Sequence, residues 1–427
     1  PRIRGDMPTP EINLPPDQLP AFCEVLVIGA GPAGSACARA LALAGRDVVL
    51  VDAQAFPRDK VCGDALVPDA HAALRRLGLH ERVMAQARPV PMARCVAPKG
   101  HSVDVAGEMA VLPREQLDAL LCAAAVEAGA RMHTPLRFDA LQCDANGRVS
   151  GATLRHGADT HTVQASWVIL ATGAHLPPLL AAGVCTRRTP SGMALRAHVQ
   201  HPEMAARLSS LRFTWHRQLH GGYGWVFPGP DDTFNIGVGV LDNYTDAPRW
   251  WQPGARRRSG MNLRALFDAF LAVDPVAAQL MREGTVRSPL KGAPLRCGLN
   301  GAQWSRPGLL VVGEAAGGTY AFTGEGIGKA METGLAAADS LQAHGLANGA
   351  DDAVRAHYEA CLRGLLPRYR SYQQAGGFNR HPWLADLVIW RAQRSPRIQA
   401  KLADVLNERR LPGGLFTWRA LRNILAG

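Results

Sequence analysis

The chain has 427 residues, 47% of them hydrophobic, and a formal net charge of +11. That length accommodates two or three domain-sized units, and the composition is that of a soluble globular protein rather than a disordered one. No run of about 18 apolar residues occurs, which excludes a spanning helix and predicts a cytoplasmic protein.

The charge excess is carried almost wholly by Arg, with Lys only at 60, 99, 291, 329 and 401, so it reads as compositional bias and no nucleic-acid partner is expected. From Asp351 to Gly427, however, 13 Arg and Lys face 6 Asp and Glu, a local surplus of 7. Nine cysteines show no C-x-x-C pair and no grouping with His, so neither a disulfide framework nor a metal site is expected.

Residues 1–20 are rich in Pro and charge, lack the apolar core of a signal peptide, and read as a flexible N-terminal extension. Glu24 to Ile28 then predicts a short buried strand, Pro32 to Ala44 a helix, and Asp47 to Val51 a second strand ending in Asp52, which together make a β-α-β unit. Its turn reads Gly29-Ala30-Gly31-Pro32-Ala33-Gly34. Gly29 permits the tight turn, Gly31 lets the backbone approach a pyrophosphate, and Gly34 allows the helix to pack closely on the strand. Asp52, 18 residues beyond Gly34, stands where a carboxylate accepts hydrogen bonds from an adenosine ribose. A dinucleotide is therefore expected here, with Pro32 and Ala33 opening the helix beneath it.

Pro68 to Ala87 is helical in pattern, and Arg114 to Ala130 is amphipathic, with Leu117, Leu120, Leu121 and Ala124 on one face. Arg114 begins that helix, where a cation gains nothing from the dipole. It is either a solvated surface residue or a contact to the cofactor's phosphate and ribose edge. A β-rich stretch from Met132 to Val168 returns to a strand at Trp167 to Leu170, closed by Ala171-Thr172-Gly173 beside the cofactor.

Residues from about 190 to 289 alternate like strands, with one helical insertion near Asn262 to Leu280. Leu309 to Val312 is again a buried strand, followed by Gly313-Glu314, then Gly324-Glu325-Gly326-Ile327 and a long helix to His344. This second glycine-rich turn distinguishes FAD from NAD, since a plain NAD domain has no use for it. Glu314 can accept from ribityl hydroxyls, and a helix N-terminus behind it would favour negative charge on the pyrophosphate or the reduced ring. The predicted architecture is α/β: a discontinuous Rossmann-like FAD-binding domain over 21–189 and 290–345, an inserted antiparallel-sheet substrate domain over 190–289, and a helical C-terminal region over 346–427.

The segment Tyr223-Gly224-Trp225-Val226-Phe227-Pro228, followed after eight residues by Gly237-Val238-Gly239, and the early loop Phe56-Pro57-Arg58-Asp59-Lys60-Val61-Cys62-Gly63-Asp64 complete a pattern. With them the chain resembles the geranylgeranyl reductase family of FAD-dependent oxidoreductases, within the wider group of aromatic hydroxylases and flavin-dependent halogenases. The resemblance spans about Glu24 to Leu341. It departs where Gly313-Glu314 replaces the usual Gly-Asp, and where Gly317 to Phe322 replaces a turn containing Asp-Pro. Halogenases of the group carry Gly-Glu-Ser in the early loop and Trp-x-Trp-x-Ile, and this chain has neither.

The resemblance implies that Arg58, Lys60 and Cys62 lie at the cofactor, with Cys62 either orienting substrate and donating a proton or merely serving as a small residue. As a strand, Tyr223, Trp225 and Phe227 share one face, either as a core stripe or as the wall of an apolar channel over the flavin.

The leading expectation is reduction of carbon-carbon double bonds in an apolar, prenyl-type substrate by hydride transfer from reduced FAD. The alternative is a monooxygenase hydroxylating an aromatic small molecule, or an aromatic side chain of a protein or carrier-bound substrate. No second nucleotide-binding glycine motif is present, so electrons come from transiently docked NADPH or from a reductase or ferredoxin partner. The basic C-terminal region, with Trp383, Trp390 and Trp418, suits peripheral membrane contact, as an accessory to a lipid substrate or as the main role of a flavin-stabilised binding protein.

Overall fold

The structure, a computed structural model, describes residues 11–219, 221–241 and 262–413. Its first sheet is built from runs of apolar, largely β-branched residues, the composition of strands buried on both faces. The central strands Phe22–Ile28 and Val48–Val51 pair in parallel, and the order continues to Arg131–His133 on one side and to Asp159–Leu170 and Leu309–Val311 on the other, all parallel. The strands Arg137–Cys143 and Val149–His156 join antiparallel at the margin.

The helices Pro32–Leu43 and Ile327–His344 lie along one another on this sheet. Their approach is close because Gly334 has no side chain, and a Cβ there would sit 2.2 Å from the Ala33 carbonyl oxygen. The expected β-α-β unit and the late strand therefore form one discontinuous domain. Among the described residues no helix is long and apolar enough to cross a membrane.

Among the described residues the second sheet has seven strands in the order Thr285–Leu295, Gly192–Gln200, Thr233–Leu241, Gly222–Pro228, Ser210–Thr214, Met92–Val96 and Ser102–Ala106. The segment 190–289 does not build it alone. Two strands come from residues 92–106, the first pairing in parallel with Ser210–Thr214, and the last strand runs on to Leu295. The expected helical insertion is two helices, Leu263–Val273 and Pro275–Glu283. Asp274 breaks them apart by capping the second, accepting from Val276 N at 3.0 Å and Ala277 N at 3.1 Å.

Residues 11–20, expected to be loose, are fastened to the first sheet. Leu14 N donates to Met132 O and Thr134 N to Leu14 O, extending the free edge of the strand Arg131–His133. Asn13 adds a two-way amide clamp, donating to Phe56 O at 2.6 Å and accepting from Phe56 N at 2.9 Å.

The C-terminal region divides its contacts. The helix Asp351–Ala375 packs on the first domain, where Tyr358 hydroxyl donates to Val311 O at 2.6 Å. The helices Pro382–Ala392 and Pro396–Leu406 instead cover the strands Met92–Val96 and Ser102–Ala106. Trp418 lies outside the described residues.

Candidate active site

A cavity of about 880 Å³ runs from the first glycine turn, between the two sheets, to the C-terminal helices. Its first end is shaped by backbone. Gly29 has φ +106°, and a Cβ on it would lie 2.4 Å from Ala171 O, so the turn admits only glycine. Gly31 ends the loop as the N-cap of Pro32–Leu43 with no capping side chain, leaving the first N–H groups of a 12-residue helix directed outward. Gly31, Pro32 and Ala33 line the cavity, as do Ala171, Thr172 and Gly173. Gly34 and Gly313 do not. They stand behind the wall as packing points, where a Cβ would lie 1.8 Å from Gly29 O and 2.7 Å from Ala33 Cβ respectively.

Above Gly31 two guanidinium groups converge. A Cβ on Gly31 would stand 3.7 Å from Arg58 Nη2 and 3.9 Å from Arg114 Nη2. Arg114 is not a solvated surface residue. It is buried and bidentate on Asp118, at 2.7 Å for each bond. Burial works against its charge, but Asp118 more than offsets this and raises its pKa. Arg58 Nη1 is buried and ion-paired 3.1 Å from the same carboxylate, outside hydrogen-bond geometry.

Asp52 accepts from Ala30 N at 2.8 Å and Gln54 N at 3.1 Å, so it holds the glycine turn as well as facing the cavity. Burial pushes its carboxyl up, against the pull of Arg58. An outward helix N-terminus, two guanidinium groups converging above the bare Gly31 backbone and a carboxylate facing the cavity fit the pyrophosphate and ribose of FAD.

The second glycine turn differs from expectation. Gly313–Ala316 is a single 3-10 turn, and the long helix starts only at Ile327, so no helix N-terminus stands behind Glu314. The uncapped N-terminus at Gly326 and Ile327 faces the cavity instead, next to Gly324. Glu314 also lines it, fixed by Arg296 N at 3.2 Å.

The middle of the cavity explains the motif around Trp225. Tyr223, Trp225 and Phe227 share one face of their strand, line the cavity and pack in series, with ring centroids 6.2 Å apart at each step. The stripe is thus both core and wall. Trp225 Nε1 donates to Asn235 Oδ1 at 2.8 Å, and Asn235 Nδ2 donates to Asp64 Oδ2 at 2.6 Å and to Cys62 O at 2.7 Å. His198 Nε2 lies 2.6 Å from the same Asp64 oxygen, while Asp64 Oδ1 accepts from Arg114 N at 3.2 Å.

The loop bearing Lys60 and Cys62 is thereby tied to the second sheet and to the helix Arg114–Glu127, and both residues line the cavity. Asp64, Asn235 and His198 were not singled out from sequence. Asp64 alone carried a signal, as the last residue of the early loop. The fold also brings together His71, His80 and Glu108, far apart in sequence, with their ligand atoms within 4.8 Å of one another; Arg75 already engages the Glu108 carboxylate.

Past the aromatic wall the lining is apolar, with Phe213, Phe378, Val388, Ile389, Leu402 and Leu406. Sequence reasoning assigned the last five only to a helical tail, because nothing in their own pattern says which face meets the second sheet.

Comparison with known proteins finds related flavoproteins and reductases. The model of the FAD binding domain family matches residues 22–359. A menaquinone reductase of Mycolicibacterium smegmatis is 33% identical over 76% of this chain and 77% of its own length. A digeranylgeranylglycerophospholipid reductase of Methanopyrus kandleri is 28% identical over 74% and 79%. In fold, a geranylgeranyl bacteriochlorophyll reductase-like protein of Thermoplasma acidophilum superposes with a TM-score of 0.67, at 23% identity over 95% of this chain and 96% of that one.

Proposed function

The chain belongs to the FAD binding domain family and is an FAD-dependent oxidoreductase, and on that premise we propose that it reduces carbon-carbon double bonds in the isoprenoid chain of a lipid. The observation that carries this reading is the continuity of the cavity. One end fits a dinucleotide, and the other is an apolar chamber between aromatic strand residues and C-terminal helices. Isoprenoid lipids are the class to which the menaquinone and digeranylgeranylglycerophospholipid of the two named relatives belong.

Bound reduced FAD supplies the two electrons of the reduction. Gly31 and the helix N-terminus, with Arg58 and Arg114, hold the pyrophosphate, Asp52 the ribose and Glu314 the ribityl chain. Ala171 to Gly173, Gly324, Gly326 and Ile327 bound the ring end. Tyr223, Trp225 and Phe227 align the alkene and exclude water, an orienting effect that lowers the barrier without new covalent chemistry. Cys62, held through its carbonyl by Asn235, orients the substrate from the opposite loop.

Chemically reduced protein mixed anaerobically with a polyprenyl compound tests the reading. Flavin reoxidation with a product heavier by two hydrogens per reduced bond supports it. Reoxidation only by oxygen, with hydroxylation of an aromatic compound, replaces it with the monooxygenase reading. NADPH and a reduced ferredoxin, each mixed with oxidised protein, identify the donor by which one bleaches the flavin.

The same reading gives the basic C-terminal region a place at an anionic membrane, with Trp383 54% exposed and Arg391 and Arg394 around Trp390. Sedimentation with anionic vesicles that weakens as salt rises supports that contact, and binding insensitive to salt counts against it.

A further inference from the structure

The turn that precedes the helix Ile327–His344 is closed on itself. Tyr320 N donates to Glu325 O at 2.9 Å and Gly324 N to Tyr320 O at 3.0 Å, with Gly324 at φ +74°. Glu325 is held there as a half-buried residue lining the cavity, beside the glycine against which the Tyr223 hydroxyl stands.

Four other carboxylates line the same cavity, and each is committed elsewhere. Asp52 holds the glycine turn, Asp64 the loop network, Glu314 the Arg296 amide and Asp139 the Arg155 guanidinium. Glu325 makes no ion pair within 4.0 Å among the described residues, and its carboxyl lies within reach of Thr323.

We propose that Glu325 is the acid that protonates the alkene in this chamber, an assignment that rests on the prenyl-reductase reading above. The carboxyl O–H bond breaks and a C–H bond forms at one alkene carbon, while the hydride equivalent from reduced FAD forms the other. The π bond is consumed, the flavin is oxidised, and Glu325 is left as a carboxylate.

The surroundings suit that task. Burial pushes the Glu325 carboxyl up to about 8, helped by Asp69 and Glu408 and opposed by Lys329. Such a group still carries its proton near neutral pH, as a general acid must. The groups facing it come from every neighbouring element: Asp69 from the helix Pro68–Arg76, Lys329 from its own helix, Tyr223 from the aromatic strand, Tyr372 from Asp351–Ala375 and Glu408 from the C-terminal turn.

Lys329 is fully buried, 3.1 Å from Asp69, 3.0 Å from Glu408 and 3.8 Å from Glu332. Glu332 and Glu408 reach solvent at the outer edge of this group.

The test compares wild type, Glu325→Gln and Glu325→Asp, each loaded with FAD and matched for flavin content. Infrared difference titration should show a protonated carboxyl stretch in wild type that persists to about pH 8 and is missing in E325Q. In single anaerobic turnovers with a polyprenyl compound, E325Q should be slower by about 10²- to 10⁴-fold. The wild-type rate should fall as pH rises through about 8, and E325D should recover part of the rate with its pH dependence.

A wild-type spectrum without that band, or an E325Q rate and pH profile matching wild type, overturns the assignment alone. Wild-type protein that is not reoxidised by the polyprenyl compound overturns the reductase reading and this role with it. Should E325Q fail to hold flavin, the infrared titration of wild type and the E325D profile decide.

Discussion

Trp225 lies flat across Gly237 of the neighbouring strand, so closely that a Cβ on Gly237 would stand 2.3 Å from Trp225 Cζ2 and 2.5 Å from Leu195 O. Gly239, two residues on, is less confined, with Trp225 Cζ3 3.4 Å from its Cβ position. The Gly-x-Gly that follows the aromatic motif is thus the bed for the indole. Gly237→Ala should cost about 1–3 kcal/mol by overpacking and lower turnover by displacing Trp225. Gly239→Ala should be nearly neutral, and equal melting temperatures for the two variants would refute this account.

Asp118 is fully buried between Arg58 and Arg114. Asp118→Ala leaves two guanidinium groups without their carboxylate and should destabilise the protein without cofactor by about 3–5 kcal/mol. Added FAD should restore part of the loss, because its pyrophosphate offers the same groups an anion. Chemical denaturation with and without FAD measures both effects, and an FAD-independent loss would place the arginines away from the phosphates.

Asp52 and Glu314 separate by chemistry. Asp52→Asn keeps an acceptor for Ala30 N, whereas Asp52→Ala removes it and should loosen the glycine turn. FAD retained after gel filtration should rank wild type, then D52N, then D52A, with Glu314→Ala also reduced. Full flavin content in both D52A and E314A would remove these residues from the cofactor site.

Glu325 also links stability to pH. Its folded carboxyl titrates near about 8, well above the ordinary value of 4.5, so the folded chain binds the proton more tightly than the unfolded chain. The stabilisation is complete below the unfolded value and is lost as pH rises through about 8. Urea midpoints should fall from about pH 5 to about pH 8 in wild type and then level off, and should stay flatter across that window in E325Q. Parallel curves would show that the carboxyl titrates normally.

The cofactor end was legible because its geometry is enforced locally. Gly29, Gly31 and Asp52 act within a single β-α-β unit, and the reasons for each residue type are backbone reasons. The loop network was not legible, since Asp64, Asn235 and His198 meet only after the second sheet folds onto the loop at Cys62. The long helix was read from about Gly326, close to its start at Ile327, but the N-terminus expected behind Glu314 is not there, for a related reason. Glycines at 313, 317, 324 and 326 allow several turns, and the reciprocal bonds of Tyr320 and Glu325 decide that the helix begins at Ile327. The second sheet does begin near residue 190, at Gly192, but strand alternation did not show that Met92–Val96 and Ser102–Ala106 join it, because alternation identifies strands without saying which distant edge they will meet.

The apolar chamber takes its last wall from Val388, Ile389, Leu402 and Leu406, more than 300 residues after Cys62. A nascent chain that has emerged only to Gly345 already holds both glycine turns and the aromatic strand, yet presents Phe213, Trp215 and Tyr223 uncovered. Closure of the chamber therefore waits for the C-terminal helices, and until they arrive the aromatic wall is a surface open to aggregation.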